Sequence, residues 1–280
     1  MSEVGFRQTA EDVTLNLIDR VIQRTGDTSV ISKVLRVASR MLRKRGSADA
    51  MKRHMTEPWM KDLLECQEEI IRCGAIPHYV EGYRNQEISY WVREAQWIFE
   101  DSGIRPVRRC LDIGCGFGTL ALFCLRLHNC EVYCVDRSTD FQNEPLMRKH
   151  GMHFTVCNIE LDPIPWDLKF DLIVFTEVLE HLNFNQLPTL RKIREHLAEG
   201  GRLYLSTPDA AQWGKMGRGY LDWRDMPYPQ RGLPFIPGHS YHFSKDELFQ
   251  LVDEAGFKVE RFDYAPGFGA RHLNVCLGLE

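Results

Sequence analysis

Cys110-Leu111-Asp112-Ile113-Gly114-Cys115-Gly116-Phe117-Gly118-Thr119 is the stretch of this 280-residue chain whose reading decides the fold. An apolar run ends in an acid, three alternating glycines follow, and an apolar segment with helical spacing begins. That order describes a strand turning directly into a helix. Glycines at such a turn let the backbone approach a ligand and take dihedrals closed to other residues. The spacing is G-x-G-x-G, with Thr119 near where the third glycine of a dinucleotide fingerprint would fall. Asp112 sits just ahead of the first glycine. A carboxylate there serves a pyrophosphate poorly and a cationic group well.

Working outward, apolar strand runs cover 107–113, 131–135, 153–157, 170–175 and 202–206, with helical segments at 119–127 and 187–197 between them. Strands that alternate with helices pair in parallel through right-handed crossovers, which predicts an α/β fold with an open, doubly wound, mostly parallel sheet. Asp136 closes the second strand, where a carboxylate can take two hydrogen bonds from a ribose diol. Ser244 and Glu247 form a capping box for a helix ending at Gly256. Two last strands, 258–264 and 271–277, predict an antiparallel edge. Upstream, a helix carrying Ile88, Trp91, Val92, Ala95 and Phe99 ends at Gly103. The first 84 residues read as a helical extension: a helix capped by Thr9 and Asp12, a second from Thr28, a linker at 46–50, and a third from Thr56 to Cys73 with Pro58 in its first turn.

The net charge is −4, yet residues 1–60 hold eleven Lys and Arg against seven Asp and Glu. The basic face Lys33, Arg36, Arg40 and Arg43 lacks the interleaved aromatics that stack on single-stranded RNA, which argues against a nucleic-acid partner. The nine cysteines form no C-x-x-C pair, a usage expected of free thiols in a reducing, cytoplasmic setting. No basic segment followed by an apolar run opens the chain, so no signal peptide is expected. No apolar stretch approaches the roughly 18 residues of a membrane helix, so no membrane partner is expected. The extension is read as a cap over the site or a homodimer contact.

Leu111–Gly118, the strand ending in Asp136, Cys157-Asn158-Ile159-Glu160, and the segment from Phe170 through Glu177-Val178-Leu179-Glu180-His181 together resemble class I S-adenosylmethionine-dependent methyltransferases, over about residues 85–278. The resemblance implies a seven-stranded Rossmann-like sheet with S-adenosyl-L-methionine as cofactor. Asp112, Gly114, Gly116 and Gly118 would form its glycine loop and Asp136 would hold the ribose. Ile159 would pack on the adenine, and Glu177 would mark the methionine end. The family usually has Asp at the position of Asn158, where it accepts from the adenine amino group; an amide oxygen can accept the same bond.

Methyl transfer from a sulfonium is an in-line displacement in which positioning supplies most of the catalysis. A base is needed only where the acceptor must lose a proton. Two segments offer one: Glu177-Val178-Leu179-Glu180-His181, read as the head of a helix, and Gly238-His239-Ser240-Tyr241-His242. The first resembles ubiquinone-biosynthesis O-methyltransferases and small-RNA 2′-O-methyltransferases. Some of these hold a divalent metal with two carboxylates and two histidines, here Glu177, Glu180, His181 and His239, with His242 competing for the last place. The other reading makes His181, His239 or His242 a base or acceptor-binding group, and it is the preferred one. The 208–243 segment carries Trp213, Tyr220, Trp223, Arg224, Tyr228, Arg231 and Phe235, and its length and prolines suit a lid over an acceptor pocket. The expected activity is methylation of a hydroxyl, or secondarily an amine, on a small-molecule or sugar-like acceptor. The rivals are a metal-dependent RNA 2′-O-methyltransferase and a non-catalytic binding protein of methyltransferase fold.

Overall fold

The structure is a computed structural model that describes residues 54–215, 220–265 and 271–279. The two expected helices and the linker before residue 54 lie outside the described residues. The described residues form seven strands: β1 Arg109–Ile113, β2 Glu131–Asp136, β3 His153–Val156, β4 Phe170–Thr176, β5 Leu197–Pro208, β6 Phe257–Ala265 and β7 His272–Leu279. The helices are α1 Pro58–Arg72, α2 Arg84–Ser102, α3 Thr119–His128, α4 Glu144–His150, α5 Leu187–His196, α6 Ala210–Trp213 and α7 Lys245–Glu254. One sheet runs β3-β2-β1-β4-β5-β7-β6. β1 to β5 pair in parallel, and β7 lies antiparallel between β5 and β6. Strand order reverses between β1 and β4. That switch point opens a crevice at the carboxyl edge, where folds of this kind bind ligands.

Alternation along the strands sorts side chains into two layers. Leu111, Ile113, Val135, Ile173, Phe175, Leu203 and Leu205 face a core that includes residues of α5 and α7. Cys110, Val132, Cys134, Leu172, Val174 and Tyr204 face the other, built with α1, α2, α3 and α4. Burial on both sides explains why the strands read as nearly continuous apolar runs. The helix α4 was not anticipated. Its seven residues are too few to display a period, and it forms because Asn143 caps it by accepting from the Leu146 amide at 3.1 Å. At α7 the expected Ser244–Glu247 capping box is complete, an arrangement that contributes about 1 kcal/mol. No described helix is long and apolar enough to cross a membrane.

The described part of the N-terminal extension joins this layer. Helix α1 packs on α2 and α3, and a single π-helical turn, Tyr79–Tyr83, runs directly into α2. Glu87 of α2 is fully buried there. Its carboxyl accepts from Gln67 Nε2, Tyr79 Oη and Thr119 Oγ1, each at 2.9 Å, and so links α1, the π turn and the start of α3. Burial outweighs these donors and pushes the Glu87 carboxyl up to about 8 from an ordinary 4.5. An acid whose native pKa is raised takes up a proton on folding. Its contribution is therefore fully present below pH 4.5 and is lost as pH rises towards about 8. Glu87→Gln should remove that loss. The wild-type stability curve should fall more steeply than the variant's through this window, by about 1.4 kcal/mol per pH unit. Urea unfolding at several pH values measures the difference, and parallel curves would refute it.

The 208–243 segment divides in two. Trp223, Met226, Tyr241 and Phe243 are buried in the sheet's core. Asn185 fastens the middle, donating its amide to the Pro227 carbonyl at 2.8 Å and Nδ2 to the Trp223 carbonyl at 3.3 Å. The continuously exposed arm is 230–238.

Candidate functional site

The glycine loop leaves β1 at the crevice and is tied to its neighbour strand. The Gly114 amide donates to the Val135 carbonyl at 2.8 Å, and the Gly116 amide donates to Asp136 Oδ2 at 3.0 Å. The Arg137 amide donates to Asp136 Oδ1 at 2.7 Å. Asp136 thus stands at the end of β2 against the loop, as expected of a ribose-binding acid. Gly114 and Gly116 both have positive φ, 74° and 51°, but a side chain would meet different things at each. At Gly114 a Cβ would collide with Val178 Cγ2 at 2.3 Å, whereas at Gly116 it would meet nothing within 4 Å. The first glycine is required by packing. The second leaves room on the crevice side.

Asp112 is buried beneath this loop. Burial, followed by the nearby charge of Asp136, pushes its carboxyl up to about 7. Two carboxylates in a dry site call for a cationic ligand, and S-adenosylmethionine carries a sulfonium and an ammonium. Asn158 makes a local turn instead of presenting a bare amide: its Oδ1 accepts from the Glu160 amide at 3.0 Å. Ile159 is buried beside it in the core.

An arm crosses this edge. Arg231 bonds Asp162 Oδ1 at 2.6 Å in the loop after β3, and the Arg137 guanidinium lies 3.1 Å from the centre of the Phe235 ring. The Ile236 amide donates to Asn183 Oδ1 at 2.7 Å. Residues 231–236 therefore bridge the loops that follow β2, β3 and β4, above the expected adenosine position.

Glu177, Glu180 and His181 do not sit at the head of an α-helix. Glu180 and His181 lie on a short 3₁₀ turn, Leu179–His181, well ahead of α5, and Glu177 precedes it. The correction matters for Glu177, which was expected to share a metal with Glu180, His181 and His239. Glu177 takes a left-handed φ of 56°. Its carboxylate is held by Ser206 Oγ at 2.7 Å and by His272 Nδ1 at 2.8 and 2.9 Å. The turn sends its side chain to β5 and β7, and it is not among the three residues whose ligand atoms converge.

The other three converge. Ligand atoms of Glu180, His181 and His239 all lie within 4.8 Å of one another. Glu180 is buried, with Oε2 accepting from Thr207 Oγ1 at 3.0 Å and Oε1 lying 3.6 Å from His181 Nε2. Burial, then the charge of Glu177, pushes its carboxyl well above the usual range. A cation among these ligands would relieve that cost. His242, the other candidate catalytic group, supports His239 in this structure. It is fully buried, and both ring nitrogens are used, Nδ1 with the Gly214 carbonyl at 2.8 Å and Nε2 with His239 Nδ1 at 2.6 Å. The carbonyl can only accept, so His242 Nδ1 carries the proton and Nε2 accepts from His239 Nδ1. His239 is then left with a lone pair on Nε2. Burial, with the neighbouring His181 and His242, lowers the His239 pKa to about 4. It is neutral at physiological pH and a weak base.

The methyltransferase-domain family model matches residues 78–261. The chain belongs to that family. This methyltransferase is 27% identical over 172 residues to a probable S-adenosylmethionine-dependent methyltransferase of Mycobacterium tuberculosis, covering 60% of its own chain and 56% of the relative. The match thus spans little more than half the length of that relative. It is 25% identical to a ubiquinone biosynthesis O-methyltransferase of Acinetobacter baylyi, over 59% of this chain and 69% of the relative. A crystal structure of a Clostridium acetobutylicum S-adenosylmethionine-dependent methyltransferase superposes with a TM-score of 0.53 at 13% identity, covering 72% and 98% of the two chains. That likeness is one of fold. Family and fold together assign the chain to the class I S-adenosylmethionine-dependent methyltransferases.

Sequence reasoning missed His272 altogether, along with Ser206, Thr207 and the Gly214 carbonyl. A lone histidine at the start of the last strand has no motif around it. Only the placement of β7 beside β5 brings it to the site.

Proposed function

We propose that the chain transfers the methyl group of S-adenosylmethionine to a hydroxyl of a small-molecule or sugar-like acceptor, with a divalent cation held by Glu180, His181 and His239. The convergence of those three side chains within 4.8 Å carries the reading. The donor set suits the ion: one carboxylate and two imidazoles match the preferences of Mg²⁺, Mn²⁺ or Zn²⁺ between them. A cation there would lower the proton affinity of a bound hydroxyl and so make it a better nucleophile. This chain's residues do the rest. Asp112 and Asp136 set a negative field for the sulfonium donor, Thr207 fixes one Glu180 oxygen, and His242 fixes the His239 tautomer. The sequence alone preferred a histidine base. The low basicity of His239 and its shared position with Glu180 and His181 favour the metal instead. The Acinetobacter relative, an O-methyltransferase by name, supports oxygen as the accepting atom.

Incubation with S-adenosylmethionine labelled in the methyl group, against separate pools of phenols, sugars, amines and RNA, tests this. Label should enter the phenol or sugar pool in an alkali-stable, ether-like form. Label in amines alone would overturn the hydroxyl reading, and label in RNA would overturn the small-molecule one.

A further inference from the structure

The far side of Glu177 holds two buried polar atoms without partners among the described residues. His272 is 1% exposed, and its Nδ1 is engaged by the Glu177 carboxylate at 2.8 Å. A carboxylate can only accept, so that nitrogen carries the proton and Nε2 of the neutral ring offers a lone pair. Nε2 is buried and has no hydrogen-bond partner among the described residues. The indole Nε1 of Trp213, a donor, is likewise buried and unpartnered. The two rings stand 5.5 Å apart at 86°. A buried acceptor and a buried donor left unmatched are each destabilising, so such pairs in native proteins call for a partner. A hydroxyl is the chemical complement of such a pair, since it donates one hydrogen bond and accepts another at about 2.8–2.9 Å.

The placement agrees. His272 pairs with Pro208 at the carboxyl end of β5, on the opposite side of the switch point from Asp112, Asp136 and the glycine loop. Trp213 ends α6, and its ring also lies 5.8 Å from those of His239 and His242. Tyr90 of α2 closes the other side, 4.9 Å from His272. The pair therefore lies beside the Glu180–His181–His239 group, across the sheet edge from the cofactor.

We propose that His272 Nε2 and Trp213 Nε1 form a hydroxyl-binding subsite for the methyl acceptor, with Glu177 as the positioning residue that sets the His272 tautomer. The proposal rests on the hydroxyl-acceptor reading above and adds the residues that select for it. It explains why Glu177 has left the metal group and why a non-glycine residue holds a left-handed conformation there. The residue's amide is fixed to the Ser206 carbonyl at 3.1 Å while its carboxylate reaches β7.

The test uses the full chain saturated with S-adenosylhomocysteine, with phenol as probe and toluene as its counterpart of like shape without the hydroxyl. The Trp213 indole N–H resonance, assigned by its loss in Trp213→Phe, is followed by ¹H–¹⁵N NMR. Phenol should move that resonance downfield in a saturable way, and toluene should not. His272→Asn keeps an N–H for Glu177 and removes the second nitrogen. It should weaken phenol about tenfold while S-adenosylhomocysteine affinity stays as in wild type. Phenol that leaves the resonance unmoved, toluene that binds as tightly, or a His272→Asn variant with wild-type phenol affinity each overturns the subsite. The acceptor-pool experiment reads the parent proposal separately: label in amines alone fails the hydroxyl reading, whatever phenol does to Trp213.

Discussion

Gly116→Val is expected to melt at one temperature with or without S-adenosylhomocysteine, whereas the wild-type chain should melt higher with it. A ligand at about 100 times its Kd stabilises the native state by about 2.7 kcal/mol, worth roughly 5–10 °C in a chain of this size. A Cβ at Gly116 meets no protein atom within 4 Å, so the variant's branched side chain would occupy ligand space. The left-handed φ of 51° adds a strain of about 1–2 kcal/mol in any β-branched residue. Gly151→Val controls for that strain, because Gly151 has φ of 65° and open surroundings at the end of α4, away from the loop. It should melt lower than wild type yet keep the full ligand shift. Gly114→Ala should behave in a third way, losing stability without ligand because its Cβ would strike Val178. A folded Gly116→Val protein with an undiminished shift would remove this loop from the cofactor site.

Chelation should suppress methyl transfer, and Mg²⁺, Mn²⁺ or Co²⁺ should restore it. His239→Ala should lower the restored rate by about 100-fold or more while cofactor affinity stays within twofold, since His239 lies on the acceptor side. His242→Leu should lower metal affinity by about 10–100-fold without removing a ligand, because His239 would lose the partner that fixes its tautomer. Binding can also be read without turnover. Co²⁺ added to the chelated protein should give a visible absorption band that His239→Ala abolishes. A chelator that changes neither rate nor melting temperature, together with no Co²⁺ band, would return His181 and His239 to the base or binding role.

The geometry of the expected cofactor half was legible in the sequence because it is local. Strand, glycine turn and helix follow one another within residues 109–128, and Asp136 closes the very next strand. The backbone hydrogen bonds that position these groups join neighbouring elements, so spacing along the chain maps onto spacing in the crevice. The two-sided burial that makes the sheet also leaves apolar runs anyone can read, and α4 escaped only through its brevity. The acceptor half obeys no such rule. Glu177 and His272 lie 95 residues apart, and their meeting depends on β7 entering the sheet antiparallel beside β5. The E-x-x-E-H spacing put three groups on one side of an imagined helix, whereas a 3₁₀ turn after a left-handed residue separates Glu177 from Glu180 and His181. His239 and His242 stand three apart, yet burial and the Gly214 carbonyl give them different tasks. Sequence determined the fold, the family and the cofactor loop, since each is written in contiguous residues and their period. Tertiary structure decided that Glu180, His181 and His239 converge while Glu177 bonds His272, and which histidine supports another. It also set the buried rings of His272 and Trp213 5.5 Å apart, because those outcomes depend on which distant segments the sheet brings to its carboxyl edge.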